Sequence, residues 1–562
     1  MPKSTDIVAD TLIEAGIDHV FGMPGGAMIF FYNSILERSD KIRSVLARQE
    51  GAASCMADMY GRLTGRPAAV VGQGAWIGSN AAFGIMEAYL AGSPMLIITD
   101  TSDYANLSLH GPYQNATGDY GAFDLPSIMR SMTKFTTVAT NASEFIHGVR
   151  LAVKHSITGK PGPTAVICRW NAVGEEIEPG SVTPKLFPLK GHLNVSPPSI
   201  SDEDADKVAD ILIGAKNPVI IAGRGIHAAK AYDQLLELSE TLGIPVATSY
   251  MGKSGIPETH DLALGTMGIV GQRAANGRIA GADVILAVGT CLAPENTKML
   301  ATDFINPEKQ KIVQIDIEPL NVAWTYPVNV GITSDARFAL SKIVEKIREN
   351  GAKIDVAKRI EEVKKFKSEN GYFAHDLLTS EETPISPARV VNDVDKLVKE
   401  DDIVVLDTGN NRIFFKKLLK SKRAGQVFAG GGVAGMGWGI PAALAAQMLN
   451  PKRRVICGTG DGCMMMMLHC LETASQYELP VNLVVLNNSL LGNINDFMGQ
   501  NKELITEYPE VDLSSTAKSM GCVGIKVKEP KDLEPALKEA FESDRPALVD
   551  VTTARTPHFT MM

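Results

Sequence analysis

Residues 454–488 read RVICGTGDGCMMMMLHCLETASQYELPVNLVVLNN and decide the fold class. Two apolar runs of strand length flank a stretch that predicts a helix from Met464 through Tyr477. The first run leads into Gly460-Asp461-Gly462, a predicted turn, and the second ends in Asn487-Asn488. Strand, helix and strand in this order form a crossover between parallel neighbours. The carboxyl ends of parallel strands meet at one edge of a sheet, so Asp461 and Asn488 are predicted to lie together there.

The rest of the chain repeats this alternation of short apolar runs and helical patterns. The other runs start at Ala68, Met95, Thr164, Val219, Val284, Ile312, Ile403 and Ala547. Runs that are hydrophobic on both faces are typical of parallel sheets covered by helices, so the pattern predicts an α/β fold. A proline-rich seam at 183–199 and a second seam at 350–387 divide the chain. We therefore expect three doubly wound parallel-sheet domains, at 1–185, 195–350 and 370–562.

The composition excludes several classes of protein. Lys and Arg number 55 against 64 Asp and Glu, a net charge of −9 without a basic stripe, so nucleic acid is not an expected partner. The seven cysteines are scattered without a Cys-x-x-Cys pair, which is typical of a reducing compartment. We find no secretory signal pattern, and glycines interrupt the uncharged stretches 67–86 and 424–451. We expect a cytoplasmic protein without a membrane segment.

The oxygen-rich end of the quoted crossover points to a cation. The Asp461 carboxylate, the Asn488 amide oxygen and a nearby backbone carbonyl are hard donors that suit Mg²⁺ or Ca²⁺ rather than zinc. Mg²⁺ held by so few protein groups normally completes its shell with phosphate oxygens and water. Taken alone, Gly-Asp-Gly is also compatible with a plain turn and Asn-Asn with a polar loop. The crossover that joins them favours a cation site.

Four segments together resemble the thiamine-diphosphate (ThDP)-dependent enzymes. Gly460-Asp461-Gly462 followed by Asn487-Asn488 resembles the diphosphate–metal motif of that family. The other three are 48–65 (RQEGAASCMADMYGRLTG), similar to the helix with the cofactor-activating glutamate; 431–443 (GGVAGMGWGIPAA), similar to the aminopyrimidine cradle; and 21–27 (FGMPGGA), similar to the first glycine turn. The resemblance extends over essentially the whole chain and is closest to acetohydroxyacid (acetolactate) synthases and pyruvate oxidases. It implies a pyrimidine-binding, a central Rossmann-like and a diphosphate-binding domain.

The resemblance also implies roles for individual residues. Glu50 would hydrogen-bond pyrimidine N1′ and favour the imino tautomer, whose 4′-nitrogen takes the thiazolium proton. Met436 would hold the two cofactor rings in a V, and the Ala434 carbonyl would accept from the 4′-amino group. The implied Mg²⁺ ligands are Asp461, Asn488 and the carbonyl of Leu490. The other implied cofactor contacts are Pro24, Gly25, Asn410, Asn411, Arg412, Gly462, Cys463, Leu491 and Gly492.

Several of these residues have an ordinary structural alternative. Glu50 is also compatible with a surface ion pair to Arg48, and Met436 with core filling. The run Met464 to Met467 is interpreted as core. In the central domain, Gly223-Arg224-Gly225 and the stretch 265–271 are compatible with FAD or ADP and equally with turns of an empty domain.

The acyl pocket departs from the acetohydroxyacid synthase pattern. Residues 74–80 (GAWIGSN) stand where those enzymes carry a Gly-Pro-Gly-Ala-Thr-Asn-like turn. His110 and Gln114 lie in an altered loop and are the candidate catalytic residues there. Three further departures are Gly121 for the pocket glutamine, Ala139 or a neighbour for a lysine, and Phe497 for a tryptophan.

We therefore expect a homodimeric or homotetrameric ThDP- and Mg²⁺-dependent carboligase that decarboxylates a 2-oxo acid, with an altered acyl pocket. Four alternatives stay open. They are a non-oxidative 2-oxo acid decarboxylase, a flavin-linked pyruvate oxidase, a lyase acting on an acyloin, diketone or 2-hydroxyacyl-CoA, and a catalytically silent homologue serving as a regulatory subunit.

Overall fold

The computed structural model describes residues 1–101, 115–119, 121–351 and 354–557. Within these residues the chain forms three six-stranded sheets flanked by helices, which confirms the predicted α/β fold. Every strand pair in the three sheets is parallel. Each of the ten apolar runs of the sequence contributes one strand.

The first sheet lies in the N-terminal third and has the order β2-β1-β3-β4-β6-β5. Its strands are β1 (His19–Gly22), β2 (Arg43–Leu46), β3 (Ala69–Gly72), β4 (Met95–Thr101), β5 (Phe135–Ala139) and β6 (Pro163–Arg169). The helices of this part are α1 (Ser4–Glu14), α2 (Met28–Leu36), α3 (Glu50–Thr64), α4 (Gly74–Ser79), α5 (Ala82–Ala91), α6 (Leu125–Met132), α7 (Ala142–Ile157) and α8 (Leu189–Leu193).

The second sheet follows in the central third, with the order β12-β11-β10-β7-β8-β9. Its strands are β7 (Pro218–Ala222), β8 (Val246–Thr248), β9 (Ala263–Thr266), β10 (Val284–Val288), β11 (Lys311–Asp316) and β12 (Val330–Thr333). The helices are α9 (Asp202–Ile213), α10 (Arg224–Ala229), α11 (Tyr232–Leu242), α12 (Arg273–Ala280), α13 (Ala336–Glu349) and α14 (Val356–Glu369).

The third sheet repeats the strand order of the first, as β14-β13-β15-β16-β18-β17. Its strands are β13 (Ile403–Leu406), β14 (Val427–Ala429), β15 (Val455–Gly460), β16 (Asn482–Asn487), β17 (Val523–Val527) and β18 (Ala547–Thr552). The helices are α15 (Pro387–Leu397), α16 (Asn410–Leu418), α17 (Gly439–Leu449), α18 (Asp461–Met466), α19 (His469–Gln476), α20 (Gly492–Phe497), α21 (Glu503–Thr506), α22 (Leu513–Ser519) and α23 (Pro530–Glu542).

The strand order gives the first and the third sheet a topological switch point. In the third sheet the connections from β13 and β15 run to opposite sides, and folds of this class bind ligands at the carboxyl ends of such a strand pair. β1 and β3 have the same relation in the first sheet. Asp461 directly follows β15, and Pro24 lies just beyond the end of β1. The fold therefore brings predicted cofactor residues to a switch point of both sheets.

Backbone contacts divide the chain into two compact units. The first contains 1–196, 431–450 and 467–479, and it therefore includes α17 and α19. In this unit α17 packs against α3. The second contains 197–430, 451–466 and 480–562, with the second and third sheets.

The structure corrects three local predictions. The helix expected over 464–477 is two helices, α18 and α19, and Asp461 begins α18 instead of lying in a turn. The chain passes from the second unit to the first between Met466 and Met467, which is where the helix is interrupted. Met465 and Met466 are 41% and 56% exposed, so this pair is not core.

Two more segments are more helical than expected. Residues 74–79 form α4, and the seam at 183–199 contains α8. Among the described residues, no helix has both the length and the apolar character that crossing a membrane requires.

Candidate functional site

Glu50 is the first residue of α3, and its side chain is buried rather than solvent-facing. Its Oε2 accepts a hydrogen bond from Nδ2 of Asn80 at 2.9 Å. The start of a helix favours a carboxylate because the first N–H groups carry partial positive charge. Arg48 donates instead to Glu472 at 2.6 Å and to Gln476 at 2.7 Å. The structure thus gives Glu50 an amide partner and gives Arg48 a different acid.

The first glycine turn is fixed by an acid that the sequence did not reveal. Asp100, near the end of β4, accepts from the Ala27 N–H at 2.6 Å and from the Gly74 N–H at 2.8 Å. Burial raises the pKa of Asp100, against the effect of these hydrogen bonds. Gly26 has a φ of +57°, and a side chain there would collide with the Asp100 carboxylate. Pro24 is exposed and Gly25 half-buried beside this turn.

The segment predicted to cradle the pyrimidine lies along α5. A side chain at Gly435 would collide with Phe83, so only glycine allows this close approach. Ala434 has a φ of +56°, a left-handed conformation that is uncommon for alanine. Met436 is half-buried. Glu87 accepts hydrogen bonds from four successive N–H groups at the start of this segment.

Glu87 was missed because its partners are remote in sequence. It is an acid in an otherwise uncharged helix, AFGIMEAYLA, and this was the available signal. A lone buried acid needs donors, but the sequence does not say which ones.

In the second unit, Asp461 lies at the carboxyl edge of the third sheet. Its Oδ2 accepts the Ser489 N–H at 2.7 Å, and its Oδ1 accepts the Gly462 N–H at 3.0 Å. Burial raises the pKa of Asp461, while these N–H groups oppose the shift. Because Ser489 follows Asn488, the structure brings the chain at Asn488 to Asp461, as the crossover predicts.

The two neighbouring asparagines, Asn487 and Asn488, have different partners. Asn487 donates through Nδ2 to Asp550 at 2.8 Å, a buried structural contact. The Asn488 carbonyl accepts from Nε of Arg555 at 3.2 Å. The Leu490 carbonyl accepts the Gly492 N–H at 2.8 Å, which leaves one of its two lone pairs for another ligand.

Near Asp461, the loop after β13 and the first turn of α16 present buried side-chain oxygens that have no hydrogen-bond partner among the described residues. Thr408 Oγ1, Asn410 Oδ1 and Asn411 Oδ1 are buried and accept or donate no hydrogen bond within the described structure. The thiol of Cys463 approaches the Thr408 carbonyl at 3.2 Å, which ties this loop to the first turn of α18. Buried polar atoms are normally satisfied, so three of them between the end of β13 and the first turn of α16 point to a ligand that binds there.

The donor types fit a magnesium diphosphate. In the described part of the chain, no three His, Cys, Asp or Glu side chains converge as a metal site would need. A cation here would therefore rely on Asp461 together with amide and carbonyl oxygens, which suits Mg²⁺. The N–H groups at the start of α16, which follows Gly409, suit a phosphate. Arg412 is engaged with the Gly430 carbonyl at 2.9 Å.

Only some of the residues predicted for the acyl pocket belong to the described part of the chain. His110 and Gln114 lie outside the described residues. Gly121 has a φ of +74°, and apart from its two chain neighbours no other described residue has an atom within 4 Å of the place where a side chain would begin. A polar cavity of about 300 Å³, lined by Arg130 and Arg169 among others, lies in this part of the first unit. Phe497 is 75% exposed at the end of α20.

The two glycine-rich segments of the central domain lie at or near the carboxyl ends of their strands. Gly223 directly follows β7, and the Gly225 N–H donates to the Gly289 carbonyl at 2.9 Å. The Lys417 amine donates to the Gly271 carbonyl at 2.5 Å, and burial lowers the pKa of Lys417 to about 8. These contacts lie within the protein and do not test whether FAD or ADP binds, so a bound nucleotide stays a prediction.

Three family models match the chain in succession. They are the N-terminal TPP binding domain of thiamine pyrophosphate enzymes at residues 2–122, the central domain at 205–343 and the C-terminal TPP binding domain at 407–551.

Curated relatives align over nearly the full length. The acetolactate synthase large subunit of Haemophilus influenzae is 30% identical, covering 99% of this chain and 95% of the relative. The isozyme 3 large subunit of Escherichia coli is also 30% identical, covering 99% and 96%. A probable acetolactate synthase large subunit of Methanocaldococcus jannaschii is 28% identical, covering 98% and 91%.

Proposed function

Because this chain belongs to the thiamine pyrophosphate enzymes and is close to the acetolactate synthases, we propose that it is a Mg²⁺-dependent carboligase acting on a 2-oxo acid. The family makes it a ThDP-dependent enzyme of C–C bond chemistry. The metal, the substrate and the residue roles are our proposals.

The observation that carries the proposal is the cluster of buried oxygens beside Asp461. Thr408, Asn410 and Asn411 each have a side-chain oxygen that no other described residue pairs with, at the switch point where this fold class binds ligands. Burying such atoms unpaired costs free energy. A ligand with a hydrated cation and a phosphate group would satisfy them, because the Thr408 hydroxyl can donate to a phosphate oxygen and the two amide oxygens can accept from water bound to the cation. Asp461, Asn488 and Leu490 would hold Mg²⁺, and the first turn of α16 would hold the diphosphate.

The residues of the first unit would act on the other end of the cofactor. Bound ThDP supplies a nucleophilic carbon and an electron sink for decarboxylation. Glu50 would hold a proton at pyrimidine N1′, and Ala434 would accept from the 4′-amino group. Met436 would hold the two cofactor rings in a V. By family likeness, two subunits enclose each cofactor, so we propose a homodimer or homotetramer.

The first experiment tests cofactor binding. Cofactor-free protein is titrated with ThDP at several Mg²⁺ concentrations, with the fluorescence of its four tryptophans as the signal. We expect saturable binding that requires Mg²⁺ and that Asp461→Asn weakens. Binding that is equally tight without any divalent cation would contradict the metal site.

The second experiment identifies the reaction. CO₂ release is followed with pyruvate alone, with pyruvate plus aldehydes and with pyruvate plus a second 2-oxo acid, and the products are separated. A carboligase gives an acyloin or a 2-hydroxy-2-acyl acid, whereas a simple decarboxylase gives the aldehyde. Acetolactate as the main product would contradict the altered acyl pocket that 74–80, Gly121 and Phe497 suggest.

The absorbance spectrum of the purified protein, together with an assay for bound nucleotide, tests whether the central domain binds FAD or ADP. The proposal of FAD or ADP in this domain rests on the two glycine-rich segments Gly223-Arg224-Gly225 and 265–271. A colourless protein without bound nucleotide would refute this proposal. The domain limits 1–185, 195–350 and 370–562 and a cytoplasmic location also remain proposals. The relatives are named large subunits, so analytical ultracentrifugation should be run with and without a candidate smaller subunit.

A further inference from the structure

Glu87 is the only charged residue of α5, and its side chain is completely buried. Its Oε1 accepts the N–H groups of Gly431 at 2.9 Å and Gly432 at 3.0 Å. Its Oε2 accepts those of Val433 at 2.8 Å and Ala434 at 3.0 Å. One carboxylate therefore binds four consecutive backbone N–H groups.

These four N–H groups have no helix or strand to pair with. β14 ends at Ala429 and α17 begins only at Gly439, so the intervening backbone depends on side chains for its hydrogen bonds. A run of consecutive N–H groups turned toward one point forms a concave anion site. Here the protein supplies the anion itself, through Glu87.

The face of α5 that carries Glu87 matches this segment along its length. Phe83, Glu87 and Leu90 are spaced by four and three residues, so they lie on one side of the helix. A side chain at Gly432 would collide with Leu90, and one at Gly435 would collide with Phe83. The backbone therefore packs closely against Leu90 and Phe83 of α5, and between these two contacts it is hydrogen-bonded to the Glu87 carboxylate.

The far end of the segment is fixed to α3. Trp438 donates through Nε1 to Oδ2 of Asp58 at 2.8 Å. Arg62 stacks on the Trp438 ring at 4.4 Å and donates to Glu87 Oε1 at 2.7 Å. The same arginine also pairs with Asp58. Only residues 435–437, with Met436 at their centre, lie between the two anchors.

We propose that Glu87 is a positioning residue for the aminopyrimidine of the cofactor. It fixes the backbone that presents the Ala434 carbonyl and the Met436 side chain, and it acts through that backbone. This inference rests on the proposed function, because it needs the pyrimidine to bind at this segment.

The charge on Glu87 matters as much as its shape. Glutamine in its place has an NH₂ group that would face N–H donors, and it leaves Arg62 with less compensation. Aspartate keeps the charge but is one methylene shorter, so it cannot reach all four N–H groups. Glu87→Gln is therefore the main variant, and Glu87→Asp is the milder one that carries the test if the first does not fold.

Asp402→Asn is the matched control. Asp402 is a buried carboxylate at the opposite, amino-terminal end of β13, where it accepts from Arg454 Nη2 at 2.5 Å and the Lys399 N–H at 2.6 Å. It has the same kinds of partners as Glu87, but it lies at the end of the third sheet opposite the edge that carries Asp461. It therefore reports the general cost of neutralising a buried acid.

Three quantities are measured on the full-length variants. They are hydrogen–deuterium exchange of the N–H groups of 431–434 without cofactor, ThDP affinity at saturating Mg²⁺, and kcat and KM for the 2-oxo acid. For Glu87→Gln we expect exchange and ThDP dissociation constant to rise by about tenfold each, and kcat to fall by about 10–100-fold, as for a misplaced reacting group. KM for the 2-oxo acid should change little, and Glu87→Asp should fall between.

The outcomes separate the two proposals. If Asp402→Asn keeps wild-type exchange at 431–434 and wild-type ThDP affinity while Glu87→Gln does not, the inference is supported. Equal behaviour of the two variants in all three measurements overturns it, and the role of Glu87 is then structural only. A wild-type protein that binds no ThDP overturns the proposed function and this inference together.

Discussion

Asn80 donates through Nδ2 to Oε2 of Glu50 at 2.9 Å, and this bond fixes the carboxylate at the first turn of α3. The other carboxylate oxygen, Oε1, is the group proposed to meet the pyrimidine. Replacing Glu50 by Gln keeps the shape and lets the amide stay beside Asn80, but it removes the proton acceptor. We expect turnover to fall by about 10²-fold or more, measured as CO₂ release from the 2-oxo acid.

Arg48→Gln is the control for this variant. Arg48 lies two residues from Glu50 but pairs with Glu472 and Gln476, so its loss should leave turnover near the wild-type rate. ThDP should still bind to Glu50→Gln, since the diphosphate end is untouched. Full turnover by Glu50→Gln would refute the role assigned to Glu50.

Much of the fold could be predicted because its signal is local. Ten strands are apolar runs buried on both faces, and a parallel sheet needs such runs. Strands such as β2 and β17 gave no such signal. Both are sheet edges, and three residues of β2 and three of β17 are exposed or half-buried. An edge strand pairs on one side only, so its composition is less constrained.

Some contacts of the candidate site could likewise be predicted from the sequence and others could not. Asp461 and Asn488 could be paired from the sequence because one crossover connects them. Glu87 and Ala434 could not, because 347 residues separate the two groups that meet. Asp100 is a similar case, since its partners Ala27 and Gly74 come from other strands' loops. Acids of this kind are recognised by their tertiary contacts. In the sequence, their only signal is a single charged residue within an apolar segment.

Removing the Asp461 carboxylate should disable the cation site. Asp461→Asn keeps an acceptor for the Ser489 N–H but loses the negative charge that Mg²⁺ needs. Loss of an outer partner of a metal site costs about 10–100-fold in affinity, so losing a direct ligand should raise the Mg²⁺ concentration for half-maximal ThDP binding by at least about tenfold.

Asp393→Asn checks that this effect is specific. Asp393 is also buried in the C-terminal third, but it pairs with Arg389 at 2.7 Å and Lys396 at 2.8 Å on α15. It should lower stability and leave the Mg²⁺ requirement unchanged. An unaltered Mg²⁺ requirement in Asp461→Asn would argue against a cation at this carboxylate.

Glu87 should also make the protein acid-sensitive in a defined range. Burial alone would raise its pKa, but Arg62 and the N–H groups of Gly431, Gly432 and Ala434 outweigh burial and lower the pKa from 4.5 to about 2. A carboxylate whose pKa falls on folding stabilises the folded state above its unfolded pKa, and this contribution is lost as the pH drops toward its folded pKa. The contribution at neutral pH is of the order of 3 kcal/mol.

Urea unfolding of wild type and Glu87→Gln at pH 7, 5, 4 and 3 measures this contribution. The difference in the free energy of unfolding should be largest at pH 7 and 5 and should shrink between pH 4 and 3, where the wild type gains a proton on unfolding. A difference that stays constant across this range would contradict the assignment of the low pKa to Glu87.

In the central domain, Lys253 and Glu258 form an ion pair that is 2% and 1% exposed. Lys253 donates to both oxygens of Glu258, at 2.8 and 2.6 Å, and Glu258 also accepts the Ser421 N–H at 2.8 Å. Lys253→Met leaves a buried carboxylate without its cation. We expect a loss of about 3–5 kcal/mol in the free energy of unfolding, measured with urea at pH 7.

The double variant Lys253→Met/Glu258→Gln separates charge from packing. Gln removes the unpaired charge but keeps an oxygen for the Ser421 N–H, so it should recover a large part of the loss. Lys342→Met, which removes a surface pair with Asp202, should change stability little. If the double variant is no more stable than Lys253→Met alone, the loss comes from side-chain packing and hydrogen bonding around Lys253, and the unpaired charge is not its cause.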